Sequence, residues 1–250
     1  MEALVSIIMR DNLHFARHER RKNMRPRLED ITLREKLGQT GQPSPGALQD
    51  GVKRCGGYGA YFKENPFGSF WLSESCKKPD GTPFESPAEM GEAMREINDH
   101  IKIPLLITAD FENGCETLFP QLHPCGTNLE MGAAASRTDL IYKRAYYWAR
   151  ELRSCGVNNP YGPVNDLHKN FFSAGIMRKI SDDWKIVAKV QEALIKGIQD
   201  AGIAACCKHY PGLPMTTVMP TSAPVARICL WMLGMPTSSI FLSLLPKPVL

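Results

Sequence analysis

A chain of 250 residues with 43% hydrophobic side chains is long and apolar enough to bury one sizeable core without metals or crosslinks, so one main domain is expected. Its net charge of +4 comes from acids and bases mixed along most of the chain, which argues against a dedicated nucleic-acid surface. The eight cysteines form no CxxC pair and keep no regular spacing with histidine, so neither a zinc site nor a disulfide framework is supported.

The chain opens with Glu2 where a secretory signal wants basic residues, and its first apolar run is short; no signal peptide and no membrane span are expected. Free thiols in apolar contexts fit a reducing, cytoplasmic compartment. Residues 1–30 read as a basic lead-in, with the cluster at 17–27 as a solvated segment. The first strong element follows at Thr32-Leu-Arg-Glu-Lys-Leu-Gly, where Thr32 and Glu35 make a capping box and predict a helix. Residues 41–68 are rich in Gly, Pro and aromatics, and Gly68-Ser-Phe-Trp-Leu then reads as a short strand. Ser86-Pro-Ala-Glu-Met predicts a helix with an N-cap and a proline at its first position. Ile103-Pro-Leu-Leu-Ile-Thr-Ala-Asp110 reads as a buried strand ending on an acid.

The helix-then-strand order repeats. A helix is expected over 138–155, with Leu140, Ile141, Ala145, Trp148, Ala149 and Leu152 on one face, closed by Gly156. Residues 157–166 follow as a short strand with Asp166 at its end. A third amphipathic helix over 182–201 is closed by Gly202. It feeds Ile203-Ala-Ala-Cys-Cys, a buried parallel strand that delivers Lys208 and His209 at its carboxyl end. This alternation predicts an α/β fold of βα units around a parallel sheet, with polar residues gathered at strand ends. A (β/α)8 barrel of the TIM type accounts for that placement; a doubly wound sheet is the alternative, although no GxGxxG follows any strand.

Six segments resemble, in order, those of glycoside hydrolase family 3, and particularly its β-N-acetylhexosaminidase branch. They are Ile31-Thr-Leu-Arg-Glu-Lys-Leu-Gly-Gln, Ile103-Pro-Leu-Leu-Ile-Thr-Ala-Asp-Phe-Glu-Asn-Gly, Glu151-Leu-Arg-Ser-Cys-Gly-Val-Asn, Gly162-Pro-Val-Asn-Asp-Leu, Ile176-Met-Arg-Lys-Ile-Ser-Asp-Asp and Lys208-His-Tyr-Pro-Gly. The resemblance implies an N-terminal (β/α)8 domain over 31–212 that hydrolyses terminal β-linked N-acetylhexosamine or a related hexose from a carbohydrate substrate. It implies no cofactor and no metal. By position, Asp110 matches the carboxylate that binds sugar hydroxyls, Arg178 a substrate-binding arginine, and Lys208 with His209 the pair that holds the ring. Each also has a plain structural reading: Asp110 as a helix-capping acid, Arg178 as half of an ion pair, His209 as a core histidine. Glu112 either joins the same cleft or stabilises its loop, and Asp166 either supports the site floor or caps a strand. Cys115 has no assigned role.

The resemblance stops after Gly212. The family's general acid/base, in an Asp-x-His loop, and its aspartate nucleophile have no counterpart, because no Asp or Glu occurs beyond Asp200. An incomplete barrel is therefore expected, with its last strands missing and residues 213–250 as a tail outside the family. Read from the third base of the Met215 codon, codons for Met215-Thr-Thr-Val-Met-Pro-Thr permit Asp-Asp-Arg-Asp-Ala-His, which restores the Asp-x-His loop. A truncation or a shifted reading frame explains this, and the nucleotide sequence around codon 213 tests it. The expected catalytic residues are thus absent from this chain. A catalytically dead sugar-binding remnant and a non-functional fragment stand beside the hydrolase reading.

Overall fold

The computed structural model describes residues 26–110, 112–115, 118–119, 122–124, 126–169 and 176–209. The expected tail at 213–250, and most of the basic lead-in, lie outside the described residues. Helix α1 (Leu33–Gly38) starts where the capping box predicts: Thr32 Oγ1 accepts from Glu35 N at 3.2 Å and Glu35 Oε2 accepts from Thr32 N at 2.7 Å. Two helices, α2 (Pro45–Cys55) and α3 (Tyr58–Glu64), then occupy a stretch to which the sequence reading assigned no element. Pro45 opens α2 and Gly56, at φ 80°, closes it, so proline and glycine punctuate helices here rather than preventing them.

Strand β1 (Ser69–Trp71) is followed by α4 (Pro87–His100), whose Ser86 Oγ accepts from Glu89 N at 3.2 Å. Strand β2 (Leu106–Thr108) is shorter than the predicted 103–110, with one further bridge at Asp110. A helix not read from the sequence, α5 (Asn128–Ala133), begins on a second capping box between Thr127 and Glu130. Helices α6 (Thr138–Ser154) and α7 (Trp184–Asp200) complete the set and pack on each other. On α6 the buried stripe is Ile141, Ala145, Trp148, Ala149 and Leu152, whereas Leu140 is 49% exposed and does not belong to it.

β1 pairs with β2 in parallel, Phe70 opposite Ile107. The pairing continues outward in chain order. Asn158 N donates to Ile107 O at 3.0 Å and Tyr161 N to Ala109 O at 2.7 Å; Ala204 N then donates to Asn158 O at 2.9 Å and Lys208 N to Pro163 O at 3.1 Å. Residues 157–166 and 203–207, expected as strands, form no continuous ladder: these bonds and the isolated bridges Asp110 with Tyr161 and Val164 with Lys208 hold them in place. Pro160 and Pro163 lack the N–H groups that a continuous ladder needs. Among the described residues, 203–208 has no strand on its outer side, and Ala204 is exposed where a buried strand was expected.

The spatial order follows the chain order without the reversal that a doubly wound sheet requires. The sheet does not close into a barrel among the described residues. Phe70 and Ile107, in register on one face, are buried with Tyr58, Phe62, Met94 and Ile97 beneath the helices. Trp71 and Leu106, on the opposite face, are 38% and 47% exposed. Four parallel segments thus share a helix-covered outer face and an open inner one.

Candidate functional site

The carboxyl ends of these segments bring most of the sequence-selected side chains together. β2 carries the chain to Asp110 and, two residues on, Glu112. The returning loop is fastened to α6: Gly114 bridges Pro124, the Cys115 thiol donates to Trp148 O at 3.6 Å, and His123 N donates to Glu151 Oε2 at 3.2 Å. Cys115, which had no assigned role, is a buried anchor of the loop that holds Glu112.

Arg178 arrives on a 3-10 turn (Ile176–Arg178), whose last carbonyl accepts from the buried Asn128 side chain of α5 at 2.7 Å. Its guanidinium grips Glu112 with two parallel bonds, Nε to Oε2 and Nη2 to Oε1, the second at 2.6 Å. Lys208 enters from the last segment, fixed by its backbone bridge to Val164. Its ammonium lies 2.5 Å from Glu112 Oε1 and 2.6 Å from Asp110 Oδ1. Burial opposes ionisation of Glu112, but the bonds and charges of Arg178 and Lys208 outweigh it and hold the carboxyl below its ordinary value. In turn Glu112 raises Arg178 above its own.

His209 meets a different acid. Its ring Nδ1 lies 2.7 Å from Asp166 Oδ2, and its backbone N donates to Asp166 Oδ1 at 3.4 Å. Asp166 is 3% exposed, so this contact orients the imidazole from beneath. Buried Lys179, beside Arg178, has its ammonium pushed below the usual lysine range by burial, against the pull of Asp166. Gln191 of α7, also buried and not singled out in the sequence, donates to Val164 O at 2.6 Å and supports the segment that presents Lys208. Its place in an apolar helix stripe was the available signal: a polar side chain there needs a backbone partner.

The arrangement suits binding more than proton transfer. A general acid works from a raised carboxyl pKa, and Glu112 is driven the other way. Asp110 remains half-exposed, with one oxygen on Lys208 and the carboxylate facing outward to solvent. Charged donors and acceptors thus alternate within one small area, a pattern suited to a polyhydroxylated ligand. Among the described residues no group of three His, Cys, Asp or Glu side chains is placed to hold a metal ion.

Comparison with known proteins agrees in family and fold. The glycosyl hydrolase family 3 N terminal domain matches residues 32–220. A β-hexosaminidase of Bordetella avium is 31% identical over 137 residues, covering 52% of this chain and 39% of that protein. A β-N-acetylglucosaminidase/β-glucosidase of Cellulomonas fimi is 30% identical over 126 residues, covering 50% of this chain and 22% of that protein. Among solved structures, a glycoside hydrolase family 3 β-N-acetylglucosaminidase from Paenibacillus sp. FPU-7 superposes with a TM-score of 0.62 at 25% identity, over 76% of this chain and 35% of that one. A β-N-acetylhexosaminidase from Beutenbergia cavernae shares the fold, with a TM-score of 0.60 at 20% identity. The matched stretch is well under half of either curated relative. With the family domain matching residues 32–220, most of this chain, and the parallel βα order in place, this chain belongs to glycosyl hydrolase family 3, in its TIM-barrel-like N-terminal domain.

Proposed function

We propose that this chain is the sugar-holding part of a glycoside hydrolase that cleaves terminal β-linked N-acetylhexosamine or a related hexose. The observation that carries the reading is the convergence of Asp110, Glu112, Arg178 and Lys208 at adjacent strand ends. In this reading Asp110 accepts hydrogen bonds from sugar hydroxyls and the Lys208 ammonium donates to them. His209, held at Nδ1 by Asp166, turns its Nε2 edge to the ring. Glu112 keeps Lys208 and Arg178 in place between ligands. In this reading the domain's own sequence runs over 31–212, although the family match reaches residue 220, and its barrel is incomplete.

Retaining hydrolysis needs two further carboxyl groups, one to protonate the leaving oxygen and one to form the glycosyl-enzyme. No Asp or Glu follows Asp200, and the acids of the cluster are bound to cations or buried beneath His209. That observation favours a second reading, a sugar-binding remnant without turnover. Release of the chromophore from an aryl N-acetyl-β-glucosaminide, measured beside thermal stabilisation by N-acetylglucosamine, separates the two. Turnover supports the hydrolase and refutes the missing pair; stabilisation alone supports the remnant; neither signal sinks both.

A further inference from the structure

One hydrogen-bond chain crosses the mouth of the sheet beside Asp110 and uses none of the residues assigned above. Thr108 Oγ1 donates to Phe70 O at 3.1 Å. That hydroxyl has a single hydrogen, so toward Gln42 it can only accept, and Gln42 Nε2 donates to it at 3.1 Å. The other hydrogen of the same amide goes to the Tyr161 hydroxyl, at 2.6 Å. A carbonyl only accepts, so the direction of the whole chain is set from the Phe70 end. It finishes at Tyr161, whose oxygen is taken by Gln42 and whose own hydrogen has no acceptor among the described residues.

The place where that donor emerges matters. Tyr161 is bridged in parallel register to Asp110, its N–H bonded to Ala109 O at 2.7 Å. Parallel neighbours in register project to the same face, so the phenol stands beside the Asp110 carboxylate. Asp110 is an acceptor and Tyr161 a donor, the pairing that neighbouring oxygens of a sugar ring require. We propose that Tyr161 is a further sugar-contacting residue, donating its phenolic hydrogen to a sugar oxygen next to the hydroxyl that Asp110 binds. Gln42 is its positioning residue and sets the polarity of the donor. The inference rests on the sugar-site reading of Asp110 and Lys208.

The test uses the full chain and N-acetylglucosamine with its monodeoxy analogues, titrated by calorimetry or ligand-observed NMR. Tyr161→Phe deletes the sugar bond together with the exposed bond from Gln42, whose amide hydrogen then turns to water, and should weaken N-acetylglucosamine binding by about 3- to 10-fold. The penalty should vanish for the one deoxy analogue that lacks the contacted oxygen, while the ligand-free melting temperature stays unchanged. Gln42→Glu replaces the amide donor with an acceptor that draws the Tyr161 hydrogen inward. It should show the same loss, and no additional loss in the Tyr161→Phe background. Wild-type binding with an unaffected Tyr161→Phe variant overturns the inference and leaves the sugar site standing, as does an equal penalty for every deoxy analogue. If the wild-type chain binds no N-acetylglucosamine, the sugar-site reading falls and this inference falls with it.

Discussion

The Lys208 ammonium lies 2.5 Å from a Glu112 oxygen that also accepts from Arg178, so one carboxylate holds two cations from distant parts of the chain. The side chains of Glu112, Lys208 and Arg178 are 16%, 14% and 28% exposed, too dry for water to replace a lost partner cheaply. Glu112→Ala leaves Lys208 with Asp110 and Arg178 with the weaker pulls of Asp110 and Asp166, and should destabilise the fold by about 2–4 kcal/mol, since removing one member of a buried pair strands the others. Asp139→Ala, which breaks the exposed Arg137–Asp139 pair, should leave stability unchanged within error. Urea denaturation of both variants checks this; equal midpoints would show that the cluster does not hold the sheet ends together.

The same residue sets an acid sensitivity. In the folded protein the Glu112 carboxyl lies below its ordinary 4.5, so on acidification the unfolded chain takes up the proton first. Its contribution is therefore complete above that ordinary value and is lost as pH falls through the depressed folded one. Glu112→Gln should flatten the decline of stability between neutral and acidic pH while lowering the neutral value. Urea midpoints across that range read it directly, and an unchanged slope would assign the acid lability to other groups.

Asp166 and His209 make a separable prediction. With Asp166 ionised, the bond at Nδ1 fixes the neutral imidazole as its Nδ1–H tautomer and leaves Nε2 as the free acceptor. Nitrogen-15 NMR of the ring should report that tautomer. Asp166→Ala removes the acceptor for both the ring and the His209 backbone N–H and should cost about 1–3 kcal/mol. The ring should then sample both tautomers. An Nε2–H ring in the wild-type protein would contradict the geometry.

Elements whose ends are marked by side-chain caps were the most legible from sequence. Thr32 with Glu35 and Ser86 with Glu89 start helices where they were read. Thr127 with Glu130 carried the same signal for α5, whose brevity concealed it; α2 opens on Pro45 without a side-chain cap, in a stretch dense in glycine and proline. Faces were less legible than elements. Leu140 and Ile141 are adjacent and equally apolar, but only Ile141 falls on the i+4, i+7 stripe with Ala145 and Trp148 that is buried. At the site, strand-end placement suggested Asp110 and Lys208, and the family resemblance added Arg178, yet neither said which acid each cation would choose. Glu112 takes both because its loop is anchored through Cys115 to α6, a long-range contact without a local pattern. Gln42 and Tyr161 were invisible for the same reason: their contact joins residues 119 apart in the sequence.

The position of Arg178 should depend on a glycine that touches no ligand. A Cβ on Gly132 of α5 would lie 1.9 Å from Ile180 O, two residues beyond Arg178 in the segment that follows its turn. Backbone cannot yield there as a flexible side chain would, so Gly132→Ala must push the segment away from α5. That movement also pulls Arg178 O from the Asn128 amide, now 2.7 Å away, and loosens the guanidinium on Glu112. Overpacking of this kind costs about 1–3 kcal/mol. Gly46→Ala, in α2 where a Cβ would meet nothing within 4 Å, is the control and should leave sugar binding unchanged and stability unchanged or raised by up to about 1 kcal/mol. If Gly132→Ala destabilises the fold and leaves N-acetylglucosamine affinity intact, the Arg178 turn is not coupled to the site through α5; loss of both together is the expected result.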